Sequence, residues 1–393
     1  MKLLYLNHNP ENYGTYFRCY HLARHLAARG HSVTLTCASR TQTLKTVRRV
    51  EGNLTILVLP RVNVAQYHTG HTLRMILNAV RCLTADYEVL HSFAFPLHPI
   101  AFPTLVTGLM RPKIKIVLDH DDMWKGGFTL HHPAFVRAVY DYAEDKLPRF
   151  ADQATAASEI LMQKFLDAGL PKDKVHYIPN CPTALPDPDN APDKNACRDI
   201  IGLPREAKVL LSMGHTYYES LFLLLAAFDM AKQREPDLKL LFLGKMHISD
   251  DFKRRMKPYQ DKHGADIILA GEVPPAEVQT YLAASDALLL PMDDDPIEKA
   301  RFPIRFGDYL ASGAPIVSNA VGEIKRIMDA HDCGFTAPVD NPGAFSRQML
   351  NALNDREGRA RVKHNAARLI EQELNWPTVA AKLEEIYDKA LQG

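Results

Sequence analysis

Arg305 and Asp308 stand three residues apart in a segment, 301–320, that reads Arg-Phe-Pro-Ile-Arg-Phe-Gly-Asp-Tyr-Leu-Ala-Ser-Gly-Ala-Pro-Ile-Val-Ser-Asn-Ala. A cation and a carboxylate at that spacing share one face of a helix. The segment predicts such a helix over about 302–311, stopped by Gly313 and followed by a strand at 315–318. Pro303 can sit in the first turn, where its missing N–H costs nothing. A helix N-terminus reinforced by a cation favours a phosphate, and an acid one turn further in can accept from a pair of ribose hydroxyls. Together these groups would suit a nucleoside diphosphate carrying a sugar. Taken alone, the segment also describes a capped amphipathic helix with a surface ion pair, which is the commoner use of this spacing.

The elements that must position these residues follow from hydrophobic patterning. Short apolar runs are expected as strands at 2–7, 32–37, 54–59, 89–93, 114–118, 154–157 and 175–179, and again at 208–213, 238–243, 267–270, 287–291, 315–318 and 335–338. They are Leu-rich or β-branched and mostly non-alternating, as strands buried on both faces are. Helical stretches lie between them at 17–29, 140–150, 159–168, 221–233 and 275–284. Strand then helix, repeated, predicts a doubly wound α/β architecture. The proline-rich window 180–194 continues neither element, and the strand count restarts after it. We therefore expect two Rossmann-like domains, 1–180 and 195–374, joined by a linker at 181–194 and facing a central cleft at the carboxyl ends of their strands.

Composition narrows the function classes. The 393 residues suit two domains, and 46% hydrophobic with 24% charged residues is the balance of a soluble globular protein. A net charge of +1 gives no basic footprint for nucleic acid. The six cysteines are scattered without C-x-x-C pairs, which suits free thiols in a reducing compartment rather than a disulfide framework or zinc site. The opening Met-Lys-Leu-Leu-Tyr-Leu-Asn is too short an apolar run for a signal peptide, so a cytoplasmic protein is the default expectation.

Several motifs along the whole chain resemble the retaining nucleotide-sugar glycosyltransferases of family 4, which have the GT-B fold. Gly14-Thr-Tyr-Phe-Arg18 and the helix ending Arg29-Gly-His-Ser-Val33 are similar to the family's opening glycine loop and its R-G-H-x-V turn. Tyr177-Ile-Pro-Asn180 looks like its I-P-N junction. Gly271-Glu-Val with 278–291 resembles G-x-V … Y-x-x-A-D-x-x-x-x-P, and 303–317 matches a variant of P-x-K-x-x-E-Y-x-A-x-G-x-P-V. Asn375-Trp376 and Tyr387 resemble a C-terminal helix, 375–393, that returns to brace the N-terminal domain. The resemblance implies a C-terminal donor domain, an N-terminal acceptor domain, transfer of a sugar with retention of configuration, and no metal or other cofactor.

Residue by residue, the resemblance gives Arg305 the diphosphate and Asp308 the ribose. Gly214, His215, Lys299, Arg301, Pro303, Gly322 and Glu323 would line the donor site. Asp308 replaces the usual glutamate, Arg305 the usual lysine, and Ala300 stands where the first acid is expected, with Asp295 or Glu298 as possible substitutes. The usual basic pair after Gly214 is absent from 216–220, so Arg305, Lys299 or Arg301 would carry more of the diphosphate's charge. His120 and Asp121, in the cluster 119–124 after a strand, are expected to meet sugar hydroxyls and assist catalysis. A capped polar loop and, less favoured, a metal site are the other readings of that cluster. Gly14, Arg18 and His91 would serve the acceptor or diphosphate loop, with a surface arginine as the equal alternative for Arg18.

Expected partners are a nucleotide-sugar donor and a glycan, lipid-linked or small-molecule acceptor. The basic, apolar stretch 74–82 could make a peripheral contact with the inner face of a membrane, although a surface helix packed on the core is the commoner use of such a pattern. Two alternatives keep part of this picture: a nucleotide-sugar 2-epimerase of the same fold, and a non-catalytic sugar-nucleotide-binding scaffold.

Overall fold

The computed structural model describes residues 1–62, 70–185, 192–214, 220–245 and 249–393. The chain divides into two compact units: Met1–Asn180 with Ala300–Phe302 and Trp376–Gly393, and Cys181–Lys299 with Pro303–Asn375. The window read as a linker thus belongs, where described, to the second unit.

The first unit is built on strands β1 (Lys2–Pro10), β2 (Ser32–Ala38), β3 (Val47–Glu51), β4 (Leu54–Leu59), β5 (Val89–Phe93), β6 (Lys115–His120), β7 (Gln153–Ala156) and β8 (Val175–Tyr177). They form one sheet in the order β3-β4-β2-β1-β5-β6-β7-β8. All neighbours are parallel except β3 and β4. Strand order reverses direction between β1 and β5, so the carboxyl ends of those strands form the switch point where such sheets take ligands. β5 is buried at every position, which is why its sequence does not alternate.

Strand β3 went unread in the sequence. All five of its residues are exposed, and it pairs at the edge through a two-residue Gly52-Asn53 loop, with Gly52 at φ +60°. Arg48 and Arg49 there serve a solvated edge, where charge discourages further strand pairing.

The C-terminal helix Trp376–Gln392 packs into this unit. Trp376 stacks on His21 with ring centroids 5.1 Å apart, and the Tyr387 hydroxyl reaches the Tyr5 hydroxyl at 2.5 Å. Ala300 is buried in the same unit's core beside Leu4, Leu6 and Leu118.

The second unit carries β9 (Lys208–Met213), β10 (Leu238–Leu243), β11 (Ile267–Gly271), β12 (Ala287–Leu290), β13 (Ile316–Ser318) and β14 (Phe335–Thr336), all parallel in the order β11-β10-β9-β12-β13-β14. Its switch point lies between β9 and β12. Helices Ser220–Lys232 and Pro342–Asn354 supply Leu224, Phe228, Phe345 and Met349 to a core closed around Leu210, Leu240 and Leu289. Both units therefore have the doubly wound α/β form expected. Among the described residues no helix is long and apolar enough to cross a membrane.

Candidate functional site

At the switch point of the second unit, β9 ends at Met213 and the chain turns through Gly214 at φ +128°. The helix Ile304–Ser312 lies against this turn, and two of its residues tie it there. Arg305 donates from Nη1 to the Met213 carbonyl at 3.0 Å, and one helical turn on the Tyr309 hydroxyl accepts from the Met213 N–H at 2.7 Å. A side chain on Gly214 would collide with the Arg305 guanidinium, and one on Gly244 would meet the Gly214 backbone. Gly214, Gly244 and Gly271 at the ends of β9, β10 and β11 all have positive φ, a conformation that favours glycine. Pro303 is the residue before the first helical turn, with φ −66° and ψ 128°, rather than a member of that turn.

Asp308 is buried, and its Oδ1 accepts from both the Thr183 N–H and the Thr183 hydroxyl at 2.7 Å. Burial pushes its carboxyl up to about 6, against the opposing pull of those two donors. Gly307 packs so close to the backbone of Cys181 and Pro182 that a methyl group there would not fit. The ribose role expected of Asp308 therefore cannot use Oδ1 without releasing Thr183.

The loop after β12 is acidic. Asp293 accepts from the Ser220 N–H at 2.7 Å, at the start of the helix Ser220–Lys232. Burial pushes Asp293 up to about 6, with Glu298 and Asp295 adding repulsion. Asp295 accepts from the N–H groups of Ile297 and Glu298, so it caps the short helix Pro296–Ala300. Glu298 is buried, whereas Ala300 is a core residue of the first unit, so the missing first acid has no counterpart at position 300 itself. Lys299 pairs with Asp294 at 2.6 Å. Its backbone abuts Gly322, where φ is +50° and a Cβ would not fit. Glu323 is buried and pairs with Arg326. Arg301 belongs to the first unit, and Arg305 and Asp308 to the second. His215 lies outside the described residues.

The first unit's switch point holds a buried polar cluster. Arg18 is 0% exposed and grips Asp119 through Nε at 3.0 Å and Nη2 at 2.7 Å. Its Nη1 donates to Asn180 Oδ1 at 3.1 Å, and Asn180 in turn donates to Asp121 and to the Phe302 carbonyl, both at 2.8 Å. Burial opposes charge on Asp119, yet Arg18 holds its carboxyl below the usual range. Asp121 goes the other way, raised by burial and by Asp119 despite Arg18. His120 is buried between the Phe95 and Phe165 rings, with Nε2 3.7 Å from Glu144. Its imidazole is held below its ordinary range, chiefly by burial.

Two expectations change here. Arg18 is an interior ion-pair partner, not a solvent-facing cation beside Gly14. His91 is fully buried rather than at an acceptor surface. Its Nδ1 is 2.6 Å from the Tyr387 hydroxyl and its Nε2 3.2 Å from the Thr155 hydroxyl. In the stretch 74–82, Arg74 is buried, as in a surface helix packed on the core. Gly14 does sit in a tight turn, at φ +54° against the Asn9 side chain. Among the described residues no group of three or more His, Cys, Asp or Glu side chains is arranged to hold a metal ion. Asn180, Thr183, Tyr309 and the glycines ending β10 and β11 were not singled out as site residues. The glycine that follows each of the apolar runs 208–213, 238–243 and 267–270 was the available signal.

Comparison with known proteins gives the following. A family model described as Glycosyl transferases group 1 matches residues 193–369, and one described as Glycosyl transferase 4-like domain matches 14–181. A Bacillus subtilis (strain 168) protein, provisionally named as a teichuronic acid biosynthesis glycosyltransferase, is 26% identical over 267 residues. That match covers 65% of this chain and spans 63% of the relative, less than two thirds of its length. Among solved structures, sucrose-phosphate synthase from Thermosynechococcus elongatus superposes with a TM-score of 0.74 at 16% identity, covering 100% of this chain and 99% of its own. The Anabaena protein HepE, solved with UDP-glucose, gives 0.70 at 14% identity, covering 99% of each chain.

Proposed function

We propose that the chain, which matches the models described as Glycosyl transferases group 1 and Glycosyl transferase 4-like domain, is a GT-B glycosyltransferase that moves a glycosyl residue from a nucleoside-diphosphate sugar to an acceptor hydroxyl with retention of configuration. The observation that carries this reading is the Arg305 guanidinium fixed at the Gly214 turn, at the carboxyl end of β9. In such a transfer the C1–O bond to the diphosphate breaks and its electron pair goes to the departing phosphate oxygen. That oxygen takes the proton of the acceptor hydroxyl as the new C1–O bond forms on the same face. The main electrostatic task is to stabilise the departing diphosphate, and a fixed cation with N–H groups at a helix start does so without reorganising. Arg305 and the first turn of Ile304–Ser312 perform that task. Gly214 admits the Arg305 guanidinium and Gly322 the Lys299 backbone, which sets the loops around the nucleotide, and Asp308 meets the ribose through its second oxygen. The buried Arg18–Asp119–Asn180–Asp121 cluster acts by holding its loops in shape.

The reading assigns no metal to the reaction, because Arg305 supplies the counter-charge. The neighbour solved with UDP-glucose supports uridine nucleotides as the first donors to try. The relative named for teichuronic acid biosynthesis supports a role in building a glycan or glycoconjugate. Both matched models describe glycosyl transferases, which gives no support to the epimerase or scaffold alternatives. The test is turnover of UDP-glucose and other nucleotide sugars against a panel of acceptors in EDTA, followed by NMR of the anomeric proton in the product. Transfer with the donor's anomeric configuration is the expected result. Donor consumed without any acceptor, or an inverted product, would overturn it.

A further inference from the structure

Arg74 is a buried guanidinium with no carboxylate beside it among the described residues. It lies in the helix Gly70–Thr84 with 4% of its surface exposed, and its Nη1 donates to the Pro60 carbonyl at 3.3 Å. Its Nε has no partner among the described residues. The charged and titratable neighbours it feels are Arg61, His8 and His98, none of them an acid. Burial and then Arg61 push Arg74 down to about 10. Burial and then Arg74 depress both His8, to about 3, and His98. Residues 63–69, outside the described residues, read Asn-Val-Ala-Gln-Tyr-His-Thr in the sequence.

The cluster continues toward the 119–124 loop. The His71 and His98 rings are 5.5 Å apart, and His98 Nδ1 lies 2.9 Å from the Tyr140 hydroxyl. The His8 ring meets the Trp124 ring edge-on at 5.7 Å. His8 Nδ1 and Trp124 Nε1 are both buried without a partner among the described residues. Taking a lone guanidinium out of water is strongly unfavourable, and folding here sets a second arginine and imidazoles beside it rather than a carboxylate. Among the described residues no carboxylate offsets that arrangement; an anion would.

We infer that Arg74, Arg61, His8 and Trp124 form an oxyanion subsite and that, given the transfer reaction proposed above, the acceptor carries a phosphate seated there. A carboxylate offers two oxygens and one charge. A phosphate monoester offers three non-bridging oxygens and up to two charges, which better match two guanidiniums with an imidazole and an indole N–H.

Calorimetric titration and thermal melts of the full chain with inorganic phosphate, glucose 6-phosphate and glucuronate test this, with UDP titrated in parallel. Phosphate and glucose 6-phosphate should bind and raise the melting temperature. Arg74→Met should weaken both about tenfold or more, leave UDP affinity unchanged, and melt no lower than the parent when no anion is present. Arg61→Gln, a change at a partly exposed residue, should weaken phosphate in the same direction and serves if Arg74→Met does not fold. Equal phosphate affinity in parent and variants, or no phosphate binding while UDP binds, overturns the subsite and leaves the transfer reading intact. Glucuronate binding in preference to phosphate overturns the phosphate assignment. Failure of UDP and every other nucleotide to bind overturns the transfer reading instead.

Discussion

Arg305 occupies the space that a side chain on Gly214 would need, and its Nη1 bonds to the carbonyl of the residue just before that glycine at 3.0 Å. The two positions therefore act together: the glycine admits the guanidinium, and the carbonyl holds it. Arg305→Ala should lower kcat by about 10²–10³, the scale seen when a preorganised transition-state donor is lost. Gly214→Ala should lower kcat in the same direction, because it strains the φ +128° turn and displaces Arg305. The double variant should be little worse than Arg305→Ala alone, since both act on one device. Steady-state kinetics of the three variants check this.

The pair Arg18 and Asp119, both 0% exposed, is a liability if broken. Arg18→Met alone should destabilise the protein by about 3–5 kcal/mol, because it strands a buried carboxylate. Asp119 titrates below its usual range in the fold. Its stabilising contribution is thus present above the unfolded carboxylate range and disappears as pH falls through the folded value. Urea denaturation of the parent and Arg18→Met at neutral pH measures the difference.

Much of the fold was legible because buried parallel strands betray themselves locally. Leu238–Leu243 reads Leu-Lys-Leu-Leu-Phe-Leu, and five of those six residues are buried. β3 was not legible, since its exposed Val-Arg-Arg-Val-Glu carries no apolar face. Helix Ile304–Ser312 and its glycine stop were readable from order alone. The partner of Arg18 was not, because Asp119 lies 101 residues away and nothing nearby in sequence marks the arginine as interior. The same holds for His91, whose bond to Tyr387 spans 296 residues. Burial of a polar group depends on such distant partners, so its spacing within a motif cannot distinguish a surface ligand contact from a core pair.

Asp308 sits near 6 because burial disfavours its charge. Its folded value is raised above the unfolded one, so the native state holds the proton more tightly. Stability is then fullest below the unfolded carboxylate range near pH 4 and declines as pH rises to about 6. Asp308→Asn keeps an acceptor for Thr183 and removes the buried charge. It should be more stable than the parent at pH 7–8 by up to about 3 kcal/mol, with the difference vanishing below about pH 4. Donor affinity should fall in the same variant. Chemical denaturation across pH 4–8, with a UDP titration, separates the two effects.

The Tyr387 hydroxyl serves both Tyr5 and His91 inside the first unit. Tyr387→Phe leaves two buried polar groups short of a partner and should cost about 2–4 kcal/mol. The UDP affinity should be unaltered, since both partners lie in the first unit. A melt that matches the parent would remove this network from the account of how the C-terminal helix is held.

The most direct test of the central claim is a calorimetric titration of the full chain with UDP, GDP, ADP and CDP in EDTA, repeated on Arg305→Ala. The account predicts selective binding of one nucleoside diphosphate without a metal, weakened about tenfold or more by the substitution. No binding by any of the four, or binding indifferent to Arg305→Ala, would contradict it.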